Sequence, residues 1–216
     1  QGYGLHCFDM HTGTWDLQMC EKLEIPAEFL PEICSCDTIV GTVTEKAAQQ
    51  CGLTAGIPVA AGGLDAACGT LGAGVIHPGE TQEQGGQAGG MSICTDSYQA
   101  DPRLILGFHV VPGQWLLQGG TTGGGGVMRW FEREFADYER MMKEETGKSS
   151  LDQLNEIGEK IAPGCDGVIF LPYMAGERSP IWNPHAKGVF YGLDFSKTKG
   201  HMLRACMEGV AFSLRH

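Results

Sequence analysis

The chain has 216 residues, 33 of them glycine, and 42% of its residues are hydrophobic. The glycines follow no Gly-X-Y period and the hydrophobic content is that of a folded protein, so a collagen-like helix and a disordered low-complexity chain are both excluded. The 15 basic and 26 acidic side chains give a net charge of −11. Because no cluster of lysine and arginine offsets this charge, we expect no nucleic-acid partner.

The cysteines indicate a reducing environment. There are nine, an odd number, and they are scattered over the whole chain, unlike the framework of a small secreted domain. Cys34 and Cys36 form the only tight pair, which lacks the spacer and the second pair of a structural zinc site, so we predict no metal ligands there. Since there is no apolar run of about 18 residues and no secretory signal at the N-terminus, we expect a cytoplasmic protein without a membrane span.

Before Gly79, apolar periodicity and turn residues predict three helices and one strand. The predicted elements are a helix at 15–30 closed by prolines, a helix at 44–51, a buried strand at 57–61 and a small-residue helix at 66–74. Thr44 suits the N-cap of the second helix and Gly52 its end.

After Gly79 the pattern changes to strands, and we place a domain boundary there. The predicted elements are strands at 91–95, 104–110 and 115–118, helices at 127–146 and 151–161, a strand at 168–173, a polar loop at 175–187, a strand at 188–193 and a helix from 199 to the end. Helices and strands alternate within two lobes, which favours an α/β fold.

The common catalytic motifs do not occur. Residues 147–149 resemble the end of a P-loop, but the position of its first glycine is Met142 and no strand precedes it, so we interpret this segment as a helix end. No dinucleotide fingerprint, no Gly-X-Ser-X-Gly elbow and no His-Glu-X-X-His zinc motif is found. The seven histidines do not cluster at ligand spacing, and we interpret each as structural or solvated.

Asp65 is the most informative single residue, because it lies where the strand at 57–61 leads into a helix, at the end of the segment Gly62-Gly63-Leu64-Asp65. As a structural residue it would cap that helix by accepting hydrogen bonds from the first free amides. As a functional residue it could accept a proton from a hydroxyl nucleophile, since it follows a buried strand and glycines that leave room for a ligand. The residue alone leaves both interpretations open.

Of the 33 glycines, 20 fall between Gly52 and Gly126, and ten of these form two clusters at 85–90 and 119–126. Such loops converge backbone amides on phosphate oxygens, and the second, which precedes a helix, also directs a helix N-terminus at the anion. The alternative is that both are tight turns where bare backbones pass closely. A carboxylate and two such loops on the two sides of a domain boundary favour a cleft for phosphoryl transfer.

Four segments resemble the FGGY family of carbohydrate kinases, and together they cover nearly the whole chain. Residues 62–74 resemble the family's catalytic segment, and residues 171–180, which include Glu177 and Arg178, resemble its C-domain loop. Residues 188–193, together with His201 and 205–208, resemble the second family signature, from which Cys206 departs. Residues 8–16 resemble the N-domain. Among subfamilies, the sequence is most similar to the xylulose kinases.

The resemblance implies a two-domain actin-like ATPase fold of the ribonuclease H-like type, with sugar and ATP bound in the cleft between the domains. Residues 1–79 would be the C-terminal part of the N-domain, and 80–216 the N-terminal part of the C-domain on the nucleotide side. The chain would then be the central part of a kinase of about twice the length. The implied activity is phosphorylation of a ketopentose such as xylulose by ATP and Mg²⁺, with little or none expected from this fragment alone.

The resemblance also implies roles for individual residues. Asp65 matches the catalytic aspartate, which contacts the sugar hydroxyl and takes its proton. The nucleotide-binding positions are Gly86, Gln87, Ala88, Gly89, Gly125 and Arg129. At residues 86–89 the family usually has Gly-Thr-Ser-Gly, and Gln87 and Ala88 depart from this pattern. Gln87 keeps an amide but lacks the hydroxyl. This departure motivates an alternative, a non-catalytic sugar or nucleotide sensor on the same fold.

Further expectations concern ion pairs, a purely structural role and assembly. We interpret Glu177 and Arg178 as an ion pair that orders its loop rather than a catalytic pair, and Glu208 in the same way. A purely structural domain with close-packed glycine turns is a third interpretation. The sequence leaves a homodimer open as the assembly.

Overall fold

The structure is a computed structural model and describes residues 2–216. These residues separate into two compact units. The first unit consists of the chain up to Glu80 with Cys94–Tyr98 and Gly107–Leu116, and the second of Thr81–Ile93, Gln99–Leu106 and Leu117–His216. Among the described residues, no helix combines the length and the apolar character that crossing a membrane requires.

The first unit is built from short elements. In chain order these are a 3₁₀ turn (Gly2–Gly4), β1 (Phe8–Asp9), β2 (Thr14–Trp15), α1 (Leu17–Lys22), a 3₁₀ turn (Ala27–Phe29), β3 (Ile39–Thr42), α2 (Glu45–Cys51), β4 (Pro58–Ala60) and α3 (Asp65–Gly72). Strand β1 pairs with β2, and β3 with β4, both antiparallel. The predicted caps of α2 are confirmed, because the Thr44 hydroxyl accepts from the Ala47 amide and Gly52 is left-handed at φ 68°.

The predicted helix at 15–30 is wrong. Trp15 belongs to β2, where it pairs with Phe8, and the Asp16 carboxylate accepts from the Met19 amide and so begins α1. The helix has ended before Glu24, whose positive φ of 56° is incompatible with a continuing helix. Local capping therefore determines the length of this helix, and not the spacing of the prolines.

The predicted strand at 57–61 is present as β4, but its predicted burial is wrong. Val59 in its middle is 41% exposed. Strand β4 pairs with β3 in a sheet of two strands, and every residue of both strands is exposed. An apolar run therefore predicted the strand correctly but not its environment.

The core of the first unit lies beside α3 and contains Ala67, Val75, Cys94 and Leu116. Nearby, the buried ring of His109 is held at both nitrogens. Its Nδ1 accepts from the Val110 amide at 2.8 Å, so its Nε2 carries the proton and donates to the Val75 carbonyl at 2.8 Å. This histidine is structural, as the sequence predicts.

The second unit begins with a hairpin, which belongs to a four-stranded sheet of order β5-β6-β8-β7, and most residues of this sheet are in the second unit. The strands are β5 (Thr81–Gly85), β6 (Gly89–Thr95), β7 (Ile105–Phe108) and β8 (Trp115–Thr121). Strand β5 was not predicted, because its sequence is polar. Strands β6 and β8 extend into the two predicted glycine loops. Glycine suits them there, since a Cβ at Gly90 would lie 3.0 Å from the Gly119 carbonyl oxygen.

The rest of the second unit is mainly helical. It contains α4 (Gly125–Phe135), α5 (Asp137–Met141), α6 (Lys143–Thr146), α7 (Ser150–Glu159), β9 (Ile169–Leu171), β10 (Val189–Tyr191) and α8 (Lys199–Arg215). The predicted single helix at 127–146 is wrong, because the chain leaves helical geometry at Ala136. The Arg140 guanidinium donates to the carbonyls of Glu132 and Arg133 and so caps the end of α4.

A contiguous apolar core holds these helices against β9. Its buried members are Val127, Phe131, Ala136, Leu154, Cys165, Val168, Phe170, Leu203, Ala205 and Cys206. Helix α8 approaches β9 so closely that a Cβ at Gly209 would lie 2.3 Å from the Phe170 carbonyl oxygen. The mixed α/β class predicted from the sequence is confirmed.

Candidate active site

The turn that carries Asp65 connects β4 to α3. Gly62 has φ 73°, a conformation that favours glycine, and no atom lies within 4 Å of where its Cβ would be. At Gly63 the reason for glycine is different, because a Cβ there would lie 2.6 Å from Val110 Cγ1 and 2.9 Å from Cys68 Sγ. The expectation that both glycines leave room for a ligand is therefore wrong at Gly63, where protein side chains occupy the space.

Asp65 is exposed and is the first residue of α3, with Leu64 at the N-cap position. Its Oδ1 accepts a hydrogen bond of 2.7 Å from the Ala66 amide. Its Oδ2 accepts none from the part of the chain that the structure describes. One oxygen thus orients the carboxylate at the start of the helix, and the other is left to accept a proton from a bound molecule.

The first glycine cluster is the turn of the β5–β6 hairpin. The last strand pair is Gly85 with Gly89, and between them the Gly86 amide donates to the Ala88 carbonyl at 3.0 Å. Gly86 and Gln87 are exposed, Ala88 is half-buried and Gly89 is buried. The four predicted nucleotide-binding residues of this cluster are thus placed together in one tight turn.

This turn packs directly on the N-terminus of α4. The Gly125 amide donates to the Gly86 carbonyl at 2.7 Å, and the Gly126 amide donates to the Gln87 carbonyl at 2.9 Å. A Cβ at Gly124 would lie 2.4 Å from the Ala88 carbonyl carbon. The alternative of bare backbones passing closely therefore describes this contact, and two of the first amides of α4 are already used.

Three backbone amides beside this contact have no acceptor in the described chain, and of the three residues Gln87 is exposed, Ala88 half-buried and Gly124 buried. Those of Gln87, Ala88 and Gly124 donate no hydrogen bond within residues 2–216, and Gly124 is the N-cap of α4. The Gln87 side chain lies over the first turn of α4, since its Nε2 is 2.4 Å from where a Cβ of Gly126 would be. Arg129 is exposed one turn further along α4. These donors, with the helix dipole, are suited to an anion.

The predicted ion pair between Glu177 and Arg178 is wrong. Glu177 is 5% exposed, and its Oε2 accepts from the Thr121 hydroxyl at 2.7 Å. Its Oε1 accepts from the Thr122 amide at 2.9 Å and from the backbone amide of Arg178 at 2.7 Å. The Arg178 guanidinium instead donates to the Thr121 carbonyl at 3.1 Å. Both side chains therefore bind the segment between β8 and α4.

The structural role predicted for Glu208 is confirmed. Its Oε1 lies 2.8 Å from Arg204 Nε, and both its oxygens accept from the Gly164 amide. Burial by itself raises the pKa of Glu208, but hydrogen bonds from Arg204, Gly164 and the Cys165 thiol outweigh it and lower the pKa below 4.5. Glu208 thus joins α8 to the turn that precedes β9.

Sequence reasoning missed the part that Thr121 and Thr122 play in this arrangement. Thr121 is 3% exposed, and its hydroxyl reaches a carboxylate 56 positions further along the chain. The available signal was the acidic residue in an otherwise polar loop, but only the folded chain shows which donors it accepts. In the described residues no group of three or more histidine, cysteine, aspartate or glutamate side chains could hold a metal ion.

The first unit also contains a cavity of about 810 Å³. Its walls include the aromatic residues Phe8, Trp15 and Phe108, together with Gly62 of the turn that carries Asp65. His109 contributes to the same wall, but both of its nitrogens are already bonded to the backbone. The cavity therefore borders the Asp65 turn and presents mostly apolar surface.

The fold has solved counterparts. The crystal structure of xylulose kinase from Rhodospirillum rubrum superimposes with a TM-score of 0.80 at 32% identity, covering 97% of this chain and 41% of that one. The predicted actin-like ATPase fold is thereby confirmed. Models of the FGGY family of carbohydrate kinases match residues 4–72 with the N-terminal domain and residues 91–216 with the C-terminal domain. This chain belongs to that family.

Curated relatives carry two different names. A gluconokinase from Bacillus licheniformis is 32% identical over 207 residues, which are 95% of this chain and 40% of the relative. A xylulose kinase from Bacillus subtilis (strain 168) is 31% identical over 202 residues, 93% of this chain and 38% of the relative. The chain thus spans about 40% of the length of the curated relatives that it matches.

Proposed function

We propose that the complete protein containing this chain phosphorylates a sugar hydroxyl with ATP, and that Asp65 is the general base. The observation that carries the proposal is the Asp65 carboxylate, exposed at the start of α3 with one oxygen free of hydrogen bonds. A carboxylate so placed can accept the proton of the hydroxyl as that hydroxyl attacks the γ-phosphate. Membership of a carbohydrate kinase family supports this assignment.

We assign nucleotide binding to the second unit. The predicted residues Gly86, Gln87, Ala88 and Gly89 form the hairpin turn, Gly125 is in the first turn of α4, and Arg129 follows one turn later. The amides of Gln87, Ala88 and Gly124 are the donors that suit phosphate oxygens, and the Arg129 guanidinium adds a positive charge. In this arrangement the Gly125 amide is used by its hydrogen bond to the Gly86 carbonyl, so Gly125 shapes the site and is not itself a phosphate donor.

The phosphate donor in this proposal is ATP with Mg²⁺. The amides of Gln87 and Ala88 in the β5–β6 turn and of Gly124 at the start of α4 fit a phosphate group. For Mg²⁺ the described residues supply no cage of three acidic or histidine ligands. Such a cage is not required, because Mg²⁺ in kinases is commonly held by substrate phosphates with one or two carboxylates. When bound, the metal would neutralise charge on the phosphates.

For the substrate we propose a ketopentose such as xylulose, with gluconate as the second candidate. The first rests on the xylulose kinases among the relatives, and the second on the gluconokinases at similar identity. A panel of phosphate acceptors assayed with the complete protein separates the two. The ratio of kcat/KM for D-xylulose to that for D-gluconate identifies the substrate class.

The remaining features of the proposal concern organisation. We propose a domain boundary near Gly79, a cytoplasmic location and no nucleic-acid or membrane partner. The net charge of −11 supports the absence of a nucleic-acid partner, and the free state of all nine cysteines supports a reducing location. We also propose that the chain alone has little or no kinase activity. A homodimer stays a prediction that sedimentation of the complete protein tests.

The test of the catalytic assignment is Asp65→Asn in the complete protein. We expect kcat to fall by about 100-fold or more, because the amide cannot take the proton. The matched control is Glu45→Gln, which removes an exposed acidic side chain from the first turn of α2 in the same unit, with activity changing by less than about twofold. Phosphorylation near the wild-type rate in Asp65→Asn would show that Asp65 is not the base.

The competing function is a non-catalytic sugar or nucleotide sensor. The observation that favours it is Gln87, whose side chain lies over α4 and offers no hydroxyl to a phosphate. Calorimetry that detects binding of ATP or a sugar, with no ADP released for any member of the acceptor panel, would support the sensor. Release of ADP that depends on an added sugar excludes it.

A further inference from the structure

We infer that Glu177 is a positioning residue for nucleotide binding, because it holds the segment Thr121–Gly126 that leads into α4. This inference rests on the proposed function and adds a residue to it. Glu177 is not among the residues that we assign to binding of phosphate or sugar. It lies in the loop after β9, 52 positions beyond Gly125 in sequence (177 − 125).

The Glu177 carboxylate accepts hydrogen bonds from three groups. The side chain is 5% exposed and both its oxygens are used. Oε2 takes the Thr121 hydroxyl at 2.7 Å, and Oε1 takes the Thr122 amide at 2.9 Å and the Arg178 amide at 2.7 Å. Two of the three donors thus belong to the segment that precedes α4.

The same two chain segments are joined by further hydrogen bonds. The Thr122 hydroxyl donates to the Gly176 carbonyl at 2.5 Å, and the Arg178 guanidinium donates to the Thr121 carbonyl at 3.1 Å. The Thr121 hydroxyl also accepts from the Gly123 amide at 3.2 Å. The Glu177 carboxylate, Thr121 and Gly123 therefore form one continuous network, in which each bond polarises the next.

The next residues of the segment, Gly123 and Gly124, lie very close to other parts of the backbone. A Cβ at Gly123 would lie 2.1 Å from the Pro172 carbonyl oxygen, and one at Gly124 would lie 2.4 Å from the Ala88 carbonyl carbon. The segment is therefore held by the loop after β9 on one side and by the β5–β6 turn on the other. Since the N-cap amide of Gly124 is among the free donors, its direction depends on both supports.

The chemical nature of the side chain matters here. The Glu177 carboxylate accepts from three donors, and no cationic side chain lies within ion-pair distance of it in the described chain. Replacing it with an amide puts an N–H donor opposite the Thr121 hydroxyl, which must then give up its present acceptor. Buried donors left without partners are costly, so the segment would shift to recover them. A shift of about 1 Å at a reacting group can lower the rate by about 100-fold.

The experiment uses the complete protein with Glu177→Gln and Thr121→Val. For each we expect KM for ATP and the dissociation constant of ATP measured by calorimetry to rise about tenfold, with KM for the sugar changing by less than about twofold. Thr121→Ser keeps the hydroxyl and should restore wild-type values. The double variant Glu177→Gln/Thr121→Val should bind ATP no more weakly than whichever single variant has the higher dissociation constant. The reason is that both substitutions remove the same bond between residues 177 and 121.

The control variant is Glu159→Gln, which removes an exposed carboxylate at the end of α7 in the same unit and should change neither constant. Hydrogen exchange of the amides in 121–126, measured without any ligand, should be faster in Glu177→Gln than in the wild type. This readout is independent of kinase activity, so it tests the positioning role even if the wild type transfers no phosphate and the proposed function fails.

Three results would overturn the inference. One is an unchanged ATP dissociation constant in Glu177→Gln, and another is an equal rise in the ATP and sugar constants, which would indicate general loosening of the fold. The third is unchanged exchange in 121–126. An active wild-type kinase together with any of these leaves the proposed function intact and rejects the role of Glu177 alone.

Discussion

The amide of Gly125 donates a hydrogen bond of 2.7 Å to the carbonyl of Gly86. The two residues come from the two glycine clusters that the sequence singles out as phosphate loops. The clusters therefore bind each other through their backbones, and their glycines are explained first by this close approach. The donors that stay free are the neighbouring amides of Gln87, Ala88 and Gly124.

The contact between the clusters predicts the effect of a single methyl group. In Gly124→Ala the new Cβ would lie within 2.6 Å of the backbone of Ala88 and Gly89, so one of the two segments must move. We expect a loss of about 1–3 kcal/mol in the free energy of unfolding. Urea unfolding followed by tryptophan fluorescence measures it, since Trp130 packs on the core of this unit.

A neighbouring glycine supplies the control for this prediction. In Gly119→Ala the nearest atom to the new Cβ is Leu104 Cδ2 at 3.4 Å, a side-chain end that can move. We expect its loss of stability to be clearly smaller than that of Gly124→Ala. Equal effects of the two substitutions would argue that the backbone approach at Gly124 is not what requires glycine.

Two glycines within helices of the second unit should respond in opposite directions. A Cβ at Gly209 in α8 would lie 2.3 Å from the Phe170 carbonyl oxygen, whereas one at Gly158 in α7 meets only ordinary contacts, the nearest being Met207 Sδ at 3.5 Å. We expect Gly209→Ala to destabilise by about 1–3 kcal/mol and Gly158→Ala to stabilise by up to about 1 kcal/mol. Thermal unfolding of both variants beside the wild type gives the two signs, and stabilisation by Gly209→Ala would contradict the close packing of α8 on β9.

Glu208 predicts a pH dependence of stability. Its pKa is below 4.5 in the folded chain because hydrogen bonds from Arg204, Gly164 and Cys165 outweigh the effect of burial. Folding therefore favours the ionised form, so its stabilising contribution is present above pH 4.5 and is lost as the pH falls through the lowered folded value. We expect Glu208→Gln to be less stable than the wild type at pH 7, and the difference to shrink as the pH falls below 4.5.

The measurement is urea unfolding at several pH values, with the free energy of each variant subtracted from that of the wild type. Glu159→Gln, which removes an exposed carboxylate from the end of α7 in the same unit, is the control and should run parallel to the wild type. A difference for Glu208→Gln that is independent of pH would mean that packing of the side chain, and not its charge, stabilises the unit.

Much of the local structure was accessible from sequence because its causes are local. Thr44 and Gly52 bound α2 through their own side chain and backbone, and the helices at α7 and α8 follow from apolar spacing and caps. The prediction failed where a distant group decided the outcome. The break at Ala136 depends on the Arg140 side chain, which donates to the carbonyls at the end of α4. The exposure of β4 depends on which elements pack on its sheet, and the strand's own sequence does not specify this.

For the candidate site, the residue types were enough to indicate Asp65 and the two glycine clusters, because a carboxylate at a helix start and consecutive glycines have few uses. Arg129 and the hairpin residues Gly86 to Gly89 were predicted as nucleotide-binding from the resemblance. The role of Glu177 could not be found in this way. Its donors, Thr121 and Thr122, are more than 50 positions away, and an ion pair with the adjacent Arg178 was the nearer expectation.

The sequence by itself determined the α/β class, the family and the residues around which a phosphoryl-transfer site is expected, since these depend on composition, spacing and motifs. It also determined the excess of glycine between Gly52 and Gly126. Only the tertiary structure decided what that excess is for. Backbones that are far apart in the chain pass within hydrogen-bond distance at Gly86 and Gly125, and such an approach depends on the positions of whole elements, which no local pattern specifies.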